Sequence, residues 1–246
     1  MQSSHTKAQV QKVLITTGPA MFVAWIVGFV FFAKFIPVPD PNDTPLQVLE
    51  RFQRDTNMIR VGLWMVLFTS PLLLSFAAVI SAQMKRIEGD PAPLSMTQLG
   101  SAAALTLEFI FPLMIWMTAT YRPYGRSPET MQTLNDMGWL MFVMIICTVL
   151  LQFLAIAYAV LTDDAQDPIL PRWTGYLNIW VAILVFPAGL VVFFKSGPFA
   201  WNGLFAWYIP LAVYGIWMFA MASALWKAVD KQLADTTTPA TNRVGV

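Results

Sequence analysis

The sequence predicts an all-α membrane protein: a polytopic bundle of six transmembrane helices with a short interfacial helix between the first and second. Three observations carry this. Of the 246 residues, 57% are hydrophobic, with a mean hydropathy of +0.59. Charged residues make up 12%, where a soluble domain carries roughly a quarter. The apolar residues also fall into six runs, each near the length of about 20 residues that crosses a hydrocarbon core.

Taken in order, residues 1–12 form a polar N-terminal segment, residues 13–231 the transmembrane domain, and residues 232–246 a disordered tail carrying Thr236, Thr237, Thr238 and Pro239. The first run spans about Val13 to Phe35. It is long, and no small-x-small cleavage site follows it, so it is expected to be retained. In the connection that follows, Thr44-Pro45-Leu46-Gln47 reads as an N-cap, a proline at the first helical position and a box-closing glutamine. The helix it starts places Leu46, Leu49 and Phe52 on one stripe, suiting either a helix lying flat in the interface or a lid on the bundle mouth.

The second run covers about Ile59 to Gln83 and stops at the charged stretch Lys85 to Asp90. Ser95 and Gln98 have capping-box spacing, so the third helix is expected from Met96 to about Thr120. Ser127 and Pro128 start a fourth helix reaching about Leu161. The fifth spans about Thr174 to Phe194 and the sixth about Leu204 to Lys227. Of the tryptophans, Trp173, Trp201, Trp207 and Trp226 sit near span ends and read as interfacial belt residues. Trp25, Trp64, Trp116, Trp180 and Trp217 lie deeper, where packing between helices is the default, and Trp139 suits either place.

Composition excludes several classes. A net charge of +1 without a basic cluster argues against a nucleic-acid partner, leaving the lipid bilayer, a small solute or proton, and other membrane subunits or copies of the chain as expected partners. The only histidine is His5, in the polar N-terminal stretch, so the chain cannot assemble a haem pair, a copper site or a histidine-box iron site by itself. Cys147 lies among apolar residues and has no disulfide partner. Asp163, Asp164 and Asp167 have a spacing that can hold magnesium on a diphosphate, but no second acidic cluster faces them. The expectation is therefore no cofactor, no metal and no enzyme.

The residue that stands out is Glu108. Counted from Met96 at 1.5 Å per residue, it lies roughly 18 Å into its span, near the bilayer midplane. An ionised carboxylate there costs on the order of 3 kcal/mol, so it is expected to face protein or a water-filled cavity. Steps of four give Gly100, Ala104, Glu108, Pro112 and Trp116, a row in which small residues lead to the carboxyl and let another helix approach. Pro112 lacks an N–H, which frees the carbonyl of Glu108 and predicts a kink at the acid. Gln152 and Asn178 are the amides expected to approach it, since amides avoid lipid. Prolines also fall at Pro19, Pro71, Pro187 and Pro210, so every span but the fourth has one, and Pro187 marks a second expected kink. These features predict a carrier or channel for a small solute or ion, with Glu108 as its protonatable site, or a non-catalytic subunit of a membrane complex in which Glu108 only bonds helices together.

Lys and Arg are nearly balanced across the bilayer. Lys7, Lys12, Lys85, Arg86, Arg172, Lys227, Lys231 and Arg243 face one side, and Lys34, Arg51, Arg54, Arg60, Arg122, Arg126 and Lys195 the other. The small excess places both termini in the cytoplasm of a multi-pass cell-membrane protein.

Overall fold

The computed structural model describes residues 2–237, and among them there is no strand. Six helical stretches are long and apolar enough to cross a bilayer: Ser4–Phe32, Thr56–Glu88, Pro93–Tyr121, Pro128–Leu161, Arg172–Phe193 and Leu204–Thr236. They form the helical bundle expected. Helix α1 (Gln2–Val27) ends in a π-helical turn, Gly28–Phe32, and α2 (Pro45–Arg54) is the short helix of the connection. The second span is α3 (Thr56–Thr69) plus α4 (Leu72–Glu88), and the third is α5 (Pro93–Tyr121). The fourth is α6 (Pro128–Val143) plus α7 (Cys147–Leu161). The fifth is α8 (Arg172–Val185) running into a 3-10 segment, Phe186–Phe193, and the sixth is a π-helical turn, Leu204–Tyr208, followed by α9 (Ile209–Thr237).

The bundle reaches further at its terminal end than the hydropathy limits. Helix α1 already runs through residues 2–12, and α9 continues past Lys231 to Thr237. Side-chain bonds explain both extensions. The buried Gln83 amide donates to Gln11 at 2.7 Å and to Gln232 at 3.0 Å, and Gln11 donates to Gln232 at 3.2 Å. Lys12 pairs with Asp230 and Arg86 with Asp235, so polar residues tie α1, α4 and α9 together where apolar burial stops. Residues 238–246 of the expected tail lie outside the described residues.

Two caps follow the sequence and one does not. Thr44 and Gln47 form a reciprocal capping box with Pro45 behind it, and the Ser127 hydroxyl accepts the N–H of Thr130 at 3.3 Å. The third span starts earlier than expected, at Pro93, because its cap comes from the preceding helix. The Glu88 carboxylate accepts the backbone N–H of Leu94 at 2.8 Å and of Ser95 at 2.7 Å, and the Ser95 hydroxyl at 2.6 Å. An anion at the positive end of a helix dipole outcompetes a neutral serine cap. Gln98 is left buried, with no hydrogen bond to its side-chain amide.

Helix α2 is a lid. Val48, Leu49 and Phe52 turn inward while Leu46 stays exposed, and the Phe52 ring meets Phe35 at 6.4 Å. Polar contacts close its rim: Gln132 donates to the Asp43 carbonyl at 3.2 Å and Gln53 to the Pro123 carbonyl at 3.1 Å. Lys34, at a φ of 55°, pairs with Asp55 at the junction of α2 and α3.

The core beneath the lid is aromatic. Trp116 and Trp139 stand 4.9 Å apart, with Phe35, Phe142 and Trp207 around them. Trp201 and Trp207, which read as belt residues, are buried here, and the Trp201 N–H donates to the Pro39 carbonyl at 2.9 Å. Trp64 and Trp180, expected between helices, stand exposed on the outer face of the bundle instead. Close packing needs glycine at Gly138, where a Cβ would sit 2.2 Å from the Trp116 indole nitrogen.

Candidate functional site

Glu108 lies at the centre of α5, whose limits of 93 and 121 put its midpoint at residue 107. Leu105 and Thr106 beside it are buried, Leu107 and Phe111 are exposed, and Glu108 is half-buried at the seam between. Across the seam stands Thr148, whose hydroxyl donates to Oε2 of Glu108. The acid therefore has a fixed partner on α7, a helix that packs closely along α5.

Thr148 belongs to the first turn of a half-helix. The fourth span runs from 128 to 161, and its helix stops at its middle, at Met144, Ile145 and Ile146. The Ile146 N–H turns back to the Met144 carbonyl at 2.7 Å, a tight turn that cannot continue a helix. Helix α7 then starts at Cys147 with no side-chain cap. The first N–H groups of a helix lack internal partners and carry its positive dipole end, so a carboxyl beside the first turn of α7 sits in a favourable field.

This break falls in the one span with no proline beyond its first turn. Val143, Ile145, Ile146, Thr148 and Val149 are β-branched, which weakens the helix over a short stretch. Gly189, in the 3-10 segment of span five, makes the room for it: a Cβ there would lie 2.2 Å from Cδ1 of Ile146. The proline positions behave differently. Helix α5 continues through the buried Pro112, and at Pro187 the α-helix gives way to the 3-10 segment. Pro71 divides α3 from α4, and a carbonyl beside that division, on Leu72, accepts the Thr17 hydroxyl at 3.0 Å.

The two amides expected near Glu108 part company. Gln152 is buried one turn beyond Thr148 on the same helix, about 6 Å further along the axis, and its Oε1 has no hydrogen-bond partner. Asn178 is buried on α8 and bonds elsewhere. It donates to the Thr174 carbonyl at 2.7 Å and to the Met221 sulfur at 3.7 Å, and it accepts the Trp217 N–H at 3.0 Å. Thr148, the partner that the structure supplies, is not among the residues the sequence singles out. A threonine at the same mid-span depth as the acid was the available signal.

The acidic turn after α7 is occupied by structure. Asp163 accepts the N–H groups of Ala165 at 3.2 Å and Ile169 at 3.1 Å, and Asp167 pairs with Lys231 at 2.7 Å. Among the described residues no cluster of three or more His, Cys, Asp or Glu could hold a metal ion.

A separate apolar cavity of about 110 Å³ lies on the other side of the same elements. Leu105 and Phe109 of α5, Ile145 and Ile146 of the break and Val149 of α7 form one wall, and Trp25, Trp207 and Tyr214 stand on the others. Glu108 does not line it. The carboxyl and the cavity thus share α5 and the break in span four without sharing a chamber. No protein-family model, curated protein or solved structure matches the chain.

Proposed function

We propose that this integral membrane protein is a carrier or channel for a small solute or ion, with Glu108 as its protonatable group. One observation carries the reading: an intramembrane carboxyl is held at the first turn of a half-helix, where a span is interrupted at mid-depth. Discontinuous helices that meet near the midplane are how many transporters build their sites, and an intramembrane acid is a functional candidate by default. As a carboxylate, Glu108 accepts from Thr148. Once protonated it becomes a donor, and the Thr148 hydroxyl oxygen, already within hydrogen-bond reach, is able to accept. Gain or loss of one proton therefore reverses a hydrogen bond across the α5–α7 seam, next to the least regular backbone of the bundle. In this reading the protein lies in the cell membrane with both termini in the cytoplasm.

The test is proton or cation flux in proteoliposomes under an imposed pH gradient. The native protein is expected to dissipate the gradient, and Glu108→Gln, which keeps the shape and removes the ionisation, to do so at a rate near that of empty vesicles. Equal flux in both, above the empty-vesicle rate, removes Glu108 from the path.

A second reading, a non-catalytic subunit of a larger complex, is favoured by the outer groove between α3 and α5. Arg60, Trp64 and Leu67 face Met114, Met117 and Tyr121 there, with Trp64 and Phe68 rings 4.6 Å apart beside it. A groove of this composition suits a transmembrane helix from another subunit. Co-purification of a fixed companion, lost on Trp64→Ala, distinguishes this reading from the first.

A further inference from the structure

The groove between α3 and α5 is amphipathic along its length. Its apolar part, about 850 Å³, is lined by Val61, Trp64 and Leu67 of α3 and Met114 and Met117 of α5. Arg60 and Tyr121 stand at its end, and the same two residues belong to an adjoining recess of about 480 Å³ lined by Asn57, Arg122 and Tyr124. Depth follows from Glu108 at the centre of its span. Met114 is six residues past it, about 9 Å, and Tyr121 thirteen, about 20 Å. Half of the hydrocarbon core is about 15 Å and half of the whole bilayer about 20–22 Å, so the apolar part faces acyl chains and the recess lies among headgroups. The recess is also positively charged. The half-buried Arg60 donates to the Thr120 carbonyl and to Oδ1 of Asn57, both neutral, and Arg122 lies over the Tyr121 ring at 5.7 Å. Among the described residues, arginine ion pairs are made by Arg51, Arg54 and Arg86 and by neither of these two, and no Asp or Glu lines the groove or the recess. Arg126 adds a third charge, donating at 3.1 Å to the carbonyl of Thr118 in the groove wall.

We propose that this groove holds a phospholipid with an anionic headgroup, its phosphate at Arg60 and Arg122 and one acyl chain along Trp64 and Met114. Phosphate is the acceptor that every bilayer supplies at this depth, and a guanidinium presents a planar fork of donors matched to two of its oxygens. Two nitrogens of Arg60 are directed to the protein, which fixes the plane of the fork and leaves its further N–H groups for an outside acceptor. Charge selects the headgroup. A zwitterionic lipid brings an ammonium group beside guanidiniums, with no carboxylate to receive it, whereas an anionic headgroup answers the excess positive charge. The same imbalance ranks the occupants. A subunit helix in this groove has to bring an acidic residue to headgroup level, where an anionic lipid already carries its charge. The assignment uses neither the ionisation of Glu108 nor flux, so it can fail while the carrier reading stands.

The experiment reconstitutes the full chain in phosphatidylcholine vesicles and adds phosphatidylglycerol brominated on the upper part of its chains, with phosphatidylcholine brominated likewise as the comparator. Bromine quenches tryptophan on contact, so a lipid seated in the groove quenches Trp64 beyond its share of the bilayer. The anionic lipid should reach half of its full quenching at a roughly 25-fold lower fraction than the zwitterionic one, about fivefold for each arginine. Arg60→Gln and Arg122→Gln should each reduce that preference to about fivefold, and the double variant should abolish it. Trp64→Phe should remove the preferential quenching, which locates the lipid. Lys195→Gln, on the same membrane side but outside the groove and the recess, should change nothing. Excess inorganic phosphate should not displace the lipid. If Arg60→Gln does not fold, the exposed Arg122→Gln decides. Equal half-quenching fractions for the two lipids, a preference unchanged by the arginine variants or by Trp64→Phe, displacement by phosphate alone, or a companion protein that excludes the brominated lipid overturns the assignment.

Discussion

Thr148→Val removes the one hydrogen bond that the Glu108 side chain makes among the described residues, while keeping the volume and branching of the residue. A hydrogen bond to a charged group contributes about 1.5–3 kcal/mol, and an acceptor stranded in a low-dielectric seam costs a similar amount, so the variant should lose about 1.5–3 kcal/mol of stability. The partner substitutions give the sign of the argument. Glu108→Gln retains an oxygen for Thr148 and should cost less than about 1 kcal/mol, the worth of an ordinary neutral bond. Glu108→Leu takes away the acceptor that the threonine hydroxyl uses across the seam. Removing both groups in Glu108→Leu/Thr148→Val replaces a polar pair with apolar contact and relieves the acid's insertion cost of about 3 kcal/mol, so the double variant should be as stable as the native protein or more so. Reversible unfolding in mixed micelles measures all four proteins. A coupling energy of about 1.5–3 kcal/mol is expected. Additivity within about 0.5 kcal/mol, the behaviour of independent sites, would refute the pairing.

Two further predictions test the frame around the site. Gly138→Ala drives a methyl group into the Trp116 indole, a rigid ring enclosed by Phe35, Trp139 and Phe142, and should destabilise by about 1–3 kcal/mol in the same unfolding assay. A loss under 0.5 kcal/mol would show that this core is loosely packed. Lys34, first, and then Arg54 hold the Asp55 carboxyl below its ordinary range, against the opposing effect of burial. A carboxyl depressed in the folded state stabilises above its unfolded value, about pH 3.9, and loses that contribution as pH falls through the folded value. The stability gap between native protein and Asp55→Asn should therefore be constant at neutral pH and close on acidification below about pH 4. A gap that widens there would reverse the sign.

The sequence shows some layers of this molecule and hides others for physical reasons. Six spans are legible because hydrocarbon thickness imposes a length on any apolar helix. Thr44-Pro45-Leu46-Gln47 is legible because every partner in that cap is local. Glu88 is not, since it caps α5 from the preceding helix across a turn, and the nearby Ser95 and Gln98 offer a plausible local pattern that the carboxylate displaces. The break in span four is hidden more deeply. Proline is the usual marker of a broken helix, yet Pro112 is accommodated inside α5 and the span with no proline beyond its first turn is interrupted, with Gly189 from span five making room for Ile146. At the site, the depth of Glu108 followed from counting residues, whereas its partner depended on which face of α7 turned toward α5. Asn178 met a different demand, the buried N–H of Trp217, which no spacing in the sequence announces.

The central claim is that Glu108 exchanges protons with water from its place beside the broken span. The infrared carbonyl stretch of its protonated carboxyl, identified as the band missing from Glu108→Gln, reports this directly in membranes equilibrated at successive pH values. The account predicts a band that grows as pH falls, shifts on transfer to deuterated water, and moves when Thr148→Val removes its hydrogen-bond partner. A band that ignores both pH and deuterium, or no such band at any pH, would contradict it and leave Glu108 as a structural tie between α5 and α7.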